Sequence, residues 1–191
     1  MAEIKVLVEG YANRIRNGWI SSSTVTLVKS RGKRVIVDPG CNRDKLLNAL
    51  AEENLRARDI DYVLLTHNHT DHTLLSGIFE RARVLDPKDI YEDDKLVAHH
   101  DNIPETGLRI MQTPGHTMEH CSLTVLAKGR TYVVAGDLFW WRDGEEQKVD
   151  INREDPAHPV NMKELVRSRE KVLEIADYII PGHGKVLKVR A

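Results

Sequence analysis

The chain has 191 residues, 41% hydrophobic and 30% charged, with a formal net charge of -1. That length can bury a sizeable core as one globular domain over residues 1–191 without disulfides, and the near-zero charge excludes a global pull toward nucleic acid or anionic membrane. Two cysteines, no signal-peptide pattern and no membrane-spanning stretch exclude a disulfide framework and a membrane partner, so a reducing, cytoplasmic setting is expected.

Residues 3–9 (EIKVLVE) alternate as a half-buried strand does, and residues 24–28 and 34–38 predict a hairpin turning at Arg31 and Gly32. Asn42 then offers an N-cap to a helix running to about residue 54, with Leu46, Leu47, Leu50 and Leu55 at helical spacing. Residues 62–66 (YVLLT) are a continuous apolar run that ends at His67, the pattern of a strand covered on both faces. Residues 108–113 and 121–127 are strand-like, the second turning through Lys128, Gly129 and Arg130 into 131–135. The polar stretch 139–160, with Pro156 and Pro159, is long for a connection and predicts a lid or an interface. Asn161 and Glu164 resemble a capping box for a helix with Met162, Leu165, Val166, Val172, Leu173 and Ala176 on one face, and residues 177–180 form a last strand. The weakly basic tail 185–190 reads as a solvated strand edge. Strands followed by helices in both halves predict a four-layer α/β/β/α sandwich.

His67, Asn68, His69, Thr70, Asp71 and His72 form an H-x-H-x-D-H cluster, and His116, Asp137 and His183 follow in glycine-bearing contexts. Neutral imidazoles and carboxylates are the donors a borderline divalent ion accepts. YVLLT gives way to His67, TYVVAG to Asp137 and DYIIPG to His183, and loops leaving strand ends can turn side chains into a shared crevice. Gly115, Gly136, Gly182 and Gly184 permit tight turns beside the downstream positions. His67 and His69, two apart on an extended loop, can share one ion. Asp71 and His72, after the chain bends toward a helix, can aim at a second, and a carboxylate such as Asp137 can bridge ions about 3.5–4 Å apart. Ordinary hydrogen-bonded histidines would not cluster in this way.

Residues 66–72 (THNHTDH), 113–116 (TPGH), 136–137 (GD) and 181–184 (PGHG), with the earlier 37–40 (VDPG), resemble the metallo-β-lactamase-fold hydrolases in motif and order, over about residues 38–184. The resemblance implies the α/β/β/α sandwich, a first ion on His67, His69 and His116, a second on Asp71, His72 and His183, and Asp137 as the bridge. The stretch VVAGDLFWWRDG, followed by a helix and ADYIIPGHG, is similar to a compact group of that family linked with ribonuclease activity. Residues 73–77 depart from the Gly-Gly helix start frequent in the superfamily. The chain leaves no room for the C-terminal helical region of glyoxalase II types or for an inserted β-CASP or substrate-clamping arm, and the missing signal peptide argues against a secreted β-lactamase.

Zinc lowers the pKa of bound water to about 7, so two divalent ions could furnish a bridging hydroxide that attacks an ester, thioester or phosphodiester. Zinc leads, manganese or iron suits the same donors, and Asp71 and Asp137 are the expected catalytic carboxylates. Alternatives are a glyoxalase II-like or lactonase-like carboxylic ester hydrolase, a binding protein without turnover, and a non-haem iron oxygenase on His67, His116 and Asp137, which leaves a second ligand set unexplained. Arg14, Arg16, Trp19, Trp140, Trp141 and Arg142 either bind a single-stranded nucleic acid by stacking and phosphate pairing, or pack loops or a homodimer interface around a site for a small-molecule ester. His120 either lines the pocket or hydrogen-bonds a neighbour of the ligands. Asp38, extended before Pro39, supports a ligand rather than being one. His99 and His100, adjacent on a strand, cannot act jointly, His158 reads as loop surface, and Cys41 and Cys121 as small packed side chains.

Overall fold

Alternating side-chain direction along each strand sorts the apolar residues of this chain into separate packed faces. The computed structural model describes residues 2–155 and 161–190. Its first half contains β1 (Glu3–Val8), β2 (Tyr11–Ile15), β3 (Gly18–Ser22), β4 (Val25–Ser30), β5 (Lys33–Val37), α1 (Arg43–Glu52), β6 (Tyr62–Leu64), the single turn α2 (Thr70–Thr73), β7 (Arg83–Leu85), β8 (Asp89–Glu92) and β9 (Lys95–Ala98). These build a sheet in the order β1-β4-β5-β6-β7-β8-β9, with β2 and β3 paired separately. The second half contains β10 (Asn102–Ile103), β11 (Leu108–Gln112), β12 (Cys121–Ala127), β13 (Arg130–Trp140), α3 (Met162–Ile175), β14 (Tyr178–His183) and β15 (Leu187–Lys188), whose strands form a second sheet in sequence order.

Val35, Val37, Tyr62, Leu64 and Leu85 meet Leu123, Val125, Val134 and Ile180 between the two sheets. Ile36 and Val63, one residue out of phase, face Leu46 and Leu50 of α1 instead. Val133, Ala135 and Ile179 likewise cover the outer face of the second sheet beneath Leu165 and Val172 of α3. Each such leucine or valine contributes about 1.5–3 kcal/mol by leaving water. The result is the expected α/β/β/α order, and the continuous apolar run of β6 is explained by parallel partners on both sides and burial on both faces.

Local signals account for the edges of these elements. Arg31 and Gly32 both have positive φ (50° and 80°), the two-residue turn whose twist matches its flanking strands β4 and β5. The Asn42 side chain accepts from the Lys45 amide at 3.1 Å and starts α1. Asn161 caps α3 through the Glu164 amide, but the reciprocal half of the expected box is absent, because Glu164 pairs with Arg167 and the Asn161 amide donates to Gly115. His99 and His100 follow β9 in a turn rather than lying on a strand.

Two strands run further than the apolar pattern predicts. β13 continues through Asp137 to Trp140, and β14 through Pro181 to His183, with pairing irregularities at Gly136 and before Trp140. A shift of register lets a strand carry an inward polar side chain without ending, so Asp137 is held within the sheet instead of beyond its edge. No helix of the described residues is long and apolar enough to cross a membrane. His158 lies outside the described residues.

Gly115 sits where the turn after β11 is pressed against α3: a Cβ there would lie 2.3 Å from the Leu165 Cα, at a φ of +144°. Gly129, also at positive φ (+72°), has open space around it. Gly115→Ala is therefore expected to cost about 2–4 kcal/mol in denaturant unfolding, combining backbone strain with overpacking, and Gly129→Ala about 1 kcal/mol from backbone strain alone.

Candidate metal centre

Each candidate ligand is placed by an element end or a register shift. The Thr66 amide and hydroxyl both donate to the Asp38 carboxylate, at 2.8 and 2.7 Å, which pins the loop leaving β6 to the end of β5. That loop presents His67 and His69. The turn α2 then folds back, the His72 amide donating to the His69 carbonyl, and brings Asp71 and His72 onto the same crevice. His116 arrives from the turn after β11, Asp137 from β13 and His183 from the end of β14.

Two groups result. His67, His69, His116 and Asp137 each offer a ligand atom within 4.8 Å of one another, and so do Asp71, His72 and His183. The Asp137 carboxylate faces both: Oδ2 is 3.4 Å from His116 Nε2 and 3.9 Å from His67 Nε2, while Oδ1 is 3.2 Å from His72 Nε2 and 3.7 Å from His183 Nε2. Asp71 lies 3.5 Å from His183 Nε2 and is the more exposed carboxylate.

The groups behind the imidazoles set which nitrogen is bare. Carboxylates and carbonyls can only accept, so His72 Nδ1–H donates to Asp38, His116 Nδ1–H to Asp155, and His183 Nδ1–H to the Tyr11 and Ser22 carbonyls. Because the Thr66 hydroxyl already donates to Asp38, it accepts from His67 Nδ1–H at 3.0 Å. In all four rings Nε2 is therefore the nitrogen turned toward Asp137, the one that can give its lone pair to a cation. His69 faces the first group through Nδ1, 3.0 Å from His116 Nε2, near the edge of about 3.3 Å that metal–nitrogen bonds of about 2.0 Å give in a tetrahedron.

The donors fit divalent cations on a further ground: the buried atoms His67 Nε2, His72 Nε2 and Asp137 Oδ1 have no hydrogen-bond partner. Buried polar atoms are ordinarily paired, and several orphans converging on one point mark a ligand shell. Electrostatics without a cation show the same demand for positive charge. Burial pushes the Asp137 carboxyl upward, but His72 and His183 hold it well below the usual carboxylate range. Burial likewise opposes charge on His72, yet Asp137 and Asp38 raise it well above an ordinary imidazole. Burial and then the neighbouring His72 push His67 far down.

A cleft of about 430 Å³ opens over this cluster, lined by His69, Asp71, Asp137 and His183 and walled by Arg14, Trp19 and Trp140. Trp19 meets Trp140 edge to face at 6.2 Å, and the Arg14 guanidinium lies over Trp19 at 5.4 Å. The structure does not bring Trp141 or Arg142 here. Trp141 packs in the core beneath α3, and Arg142 is an exposed partner of Glu145 beside a separate groove. Arg16 is exposed and lies outside the cleft lining. His120 is fully buried, stacked on His67 with Nδ1 against Thr113, and burial pushes its pKa down to about 3. Sequence reasoning passed over Asp155, whose polar, proline-bearing context carries no ligand spacing.

The metallo-β-lactamase superfamily profile matches residues 18–86. The chain is 34% identical to metallo-β-lactamase domain-containing protein 1 of Xenopus laevis, over 97% of this chain and 81% of that protein. The chain belongs to the metallo-β-lactamase superfamily. Among relatives of known activity, a hydroxyacylglutathione hydrolase of Psychromonas ingrahamii is 33% identical over 45% of this chain and 36% of its own length. A metallo-β-lactamase family protein from Thermus thermophilus has the same fold, with a TM-score of 0.65 at 22% identity, covering 98% of this chain and 75% of that one. Membership of a metallo-hydrolase superfamily and the His/Asp cluster together fit a hydrolase that binds divalent metal.

Gly182 supplies a direct check of the Asp137 position. A Cβ on it would lie 1.7 Å from Asp137 Oδ1, so Gly182→Ala must displace that carboxylate. Zinc affinity measured by chelator competition should fall by at least about 10–100-fold, the range for disturbing a ligand's support.

Proposed function

We propose that this protein is a dinuclear metal-dependent hydrolase whose substrate is a phosphodiester in single-stranded nucleic acid. The observation that carries the reading is the Asp137 carboxylate, with one oxygen toward His67 and His116 and the other toward His72 and His183. His67, His69 and His116 would hold the first ion, Asp71, His72 and His183 the second, and Asp137 both. Zinc fits these donors, as do manganese and iron. When bound, such ions acidify water and polarise the oxygen of the scissile group. A second complete ligand group counts against a lone iron held by two histidines and one carboxylate.

The chain's own residues supply the rest. Asp71, at the mouth of the cleft, can orient the attacking water or pass a proton toward the leaving oxygen. Trp19 offers an exposed aromatic edge to a base, and Arg14 stacked on it offers a guanidinium to phosphate. A carboxylic ester or thioester is the second reading, favoured by the similarity to a hydroxyacylglutathione hydrolase.

Asp137→Ala should lose hydrolysis by more than about 100-fold, beyond the usual effect of disturbing an outer partner, and chelation followed by zinc or manganese should abolish and restore wild-type turnover. A single-stranded RNA oligonucleotide and a glutathione thioester, assayed side by side, separate the two substrate readings. If RNA is the substrate, Trp19→Ala should weaken its binding by about 1–3 kcal/mol, and binding should fall steeply with added salt. Salt-independent turnover of the thioester alone would replace the nuclease reading with the ester one.

A further inference from the structure

Besides Asp38, a second carboxylate against the cluster belongs to neither ligand group. Asp155 is fully buried at its side chain and places Oδ2 against His116 Nδ1, while its Oδ1 accepts from the Trp140 indole N–H at 3.2 Å. It reaches this position on a strap, residues 142–155, that crosses from β13 toward α3. The strap is tied down by two cations. Arg169 of α3, itself buried, donates to the Leu138 carbonyl at 2.8 Å and to the Ile151 and Arg153 carbonyls at 2.9 and 2.6 Å. Arg153 donates back to the Trp140 carbonyl and pairs with Glu145 at 2.8 Å.

We infer that Asp155 is a positioning residue for the first ligand group. It fixes His116 as the Nδ1–H tautomer with Nε2 bare toward Asp137, and in the same contact holds Trp140 as the wall of the cleft. His116 Nδ1–H and Trp140 Nε1–H are both donors, and each meets one oxygen of Asp155. An asparagine has one oxygen and one donating NH₂, so it cannot serve both. Whichever donor it faces with nitrogen must turn away or, in the case of His116, change tautomer and put its proton on the nitrogen that should bind metal. A histidine ligand anchored through its other nitrogen by a carboxylate is also more basic and better oriented. The strap therefore connects the first ligand group to the shape of the cleft, through a residue that touches neither substrate nor metal.

This inference rests on the metal reading of the cluster, but its primary readout does not need metal. In ¹⁵N-histidine-labelled metal-free protein, with His116 assigned by comparison with His116→Gln, the neutral His116 ring of the wild type should show the Nδ1–H tautomer. Asp155→Asn should shift it toward Nε2–H. Adding Trp140→Phe, which removes the competing donor and frees the asparagine oxygen to face His116, should return it. In stepwise chelator competition, D155N should weaken zinc at the first group by about 10–100-fold and leave the second group nearly unchanged. Asp155→Ser carries the same two readouts if D155N does not accumulate as folded protein. An unchanged His116 tautomer together with an unchanged Trp140 indole N–H resonance in D155N, no recovery in the double variant, or equal losses at both groups would overturn the assignment. Zinc uptake without hydrolysis of any substrate would sink the hydrolase reading and leave this one standing.

Discussion

The arrangement depends on one buried carboxylate surrounded by imidazoles. Removing Asp137 from water costs several kcal/mol unless the charge is met by partners inside the protein. Here the partners are four rings from three stretches of the chain, so the charge is compensated only when the two sheets, the segment after β6 and the turn after β11 are all in place. The backbone makes room for it: β14 passes the carboxylate with Gly182, where any side chain would collide with Oδ1. A ligand on a central strand also has less freedom than one on a loop, which suits a group that must face two ligand sets at once.

Around that carboxylate runs a second tier of contacts with a single sense of direction. Asp38, Asp155, the Thr66 hydroxyl and two backbone carbonyls all accept from the Nδ1 side of a ring, leaving Nε2 bare on the inner side. Asp38 does more than orient His72. By accepting from the Thr66 amide and hydroxyl as well, it ties the end of β5 to the end of β6, so a fault in sheet pairing would be transmitted directly to the imidazoles. Fold stability and ligand geometry share these contacts, and a substitution here acts on both.

How much of this was legible in the sequence follows from the kind of signal each part leaves. His67, His69, Asp71 and His72 lie within six residues, and His116, Asp137 and His183 sit beside glycines, so the candidate ligands were readable from residue type and spacing, and the fold brings them together. The four layers were readable from strands followed by helices in both halves, and the structure realises them by putting Ile36 and Val63 on one face and Val35, Val37 and Leu64 on the other. Asp38 was readable as a supporting residue, but not in the extended geometry expected of a residue before proline: its φ is +50°, and its contacts to Thr66 and His72 give it the role. The continuation of β13 and β14 was not readable, because Gly136, Asp137 and Gly182 interrupt the apolar pattern at the point where a register shift lets the strands go on. Trp140 and Trp141, adjacent in sequence, looked equivalent, yet strand alternation sends the first toward the cleft and the second into the core under α3. The β2–β3 hairpin leaves no apolar alternation to mark it, since Arg14, Arg16, Asn17 and Gly18 are polar or lack a side chain, and its pairing is local.

The strands β7, β8 and β9 at the far edge of the first sheet also escaped the apolar pattern, but the β2–β3 hairpin and the end of β13 are the unannounced parts that border the cleft. Metal ligands must present particular atoms at particular distances, and that demand leaves a mark in residue identity. A substrate wall needs only shape and a few contacts, so it can be built from a hairpin of ordinary composition and a strap whose key carboxylate is held by backbone carbonyls and two arginines. Trp19 enters from β3, Arg14 from β2 and Trp140 from the extended end of β13, three places that share no motif and meet only in the folded protein. The candidate ligands therefore lie where the sequence carries a motif, and the cleft wall where it offers only individual aromatic and basic residues. Two members of this superfamily could keep the same seven ligands and differ in substrate through the hairpin and the strap alone.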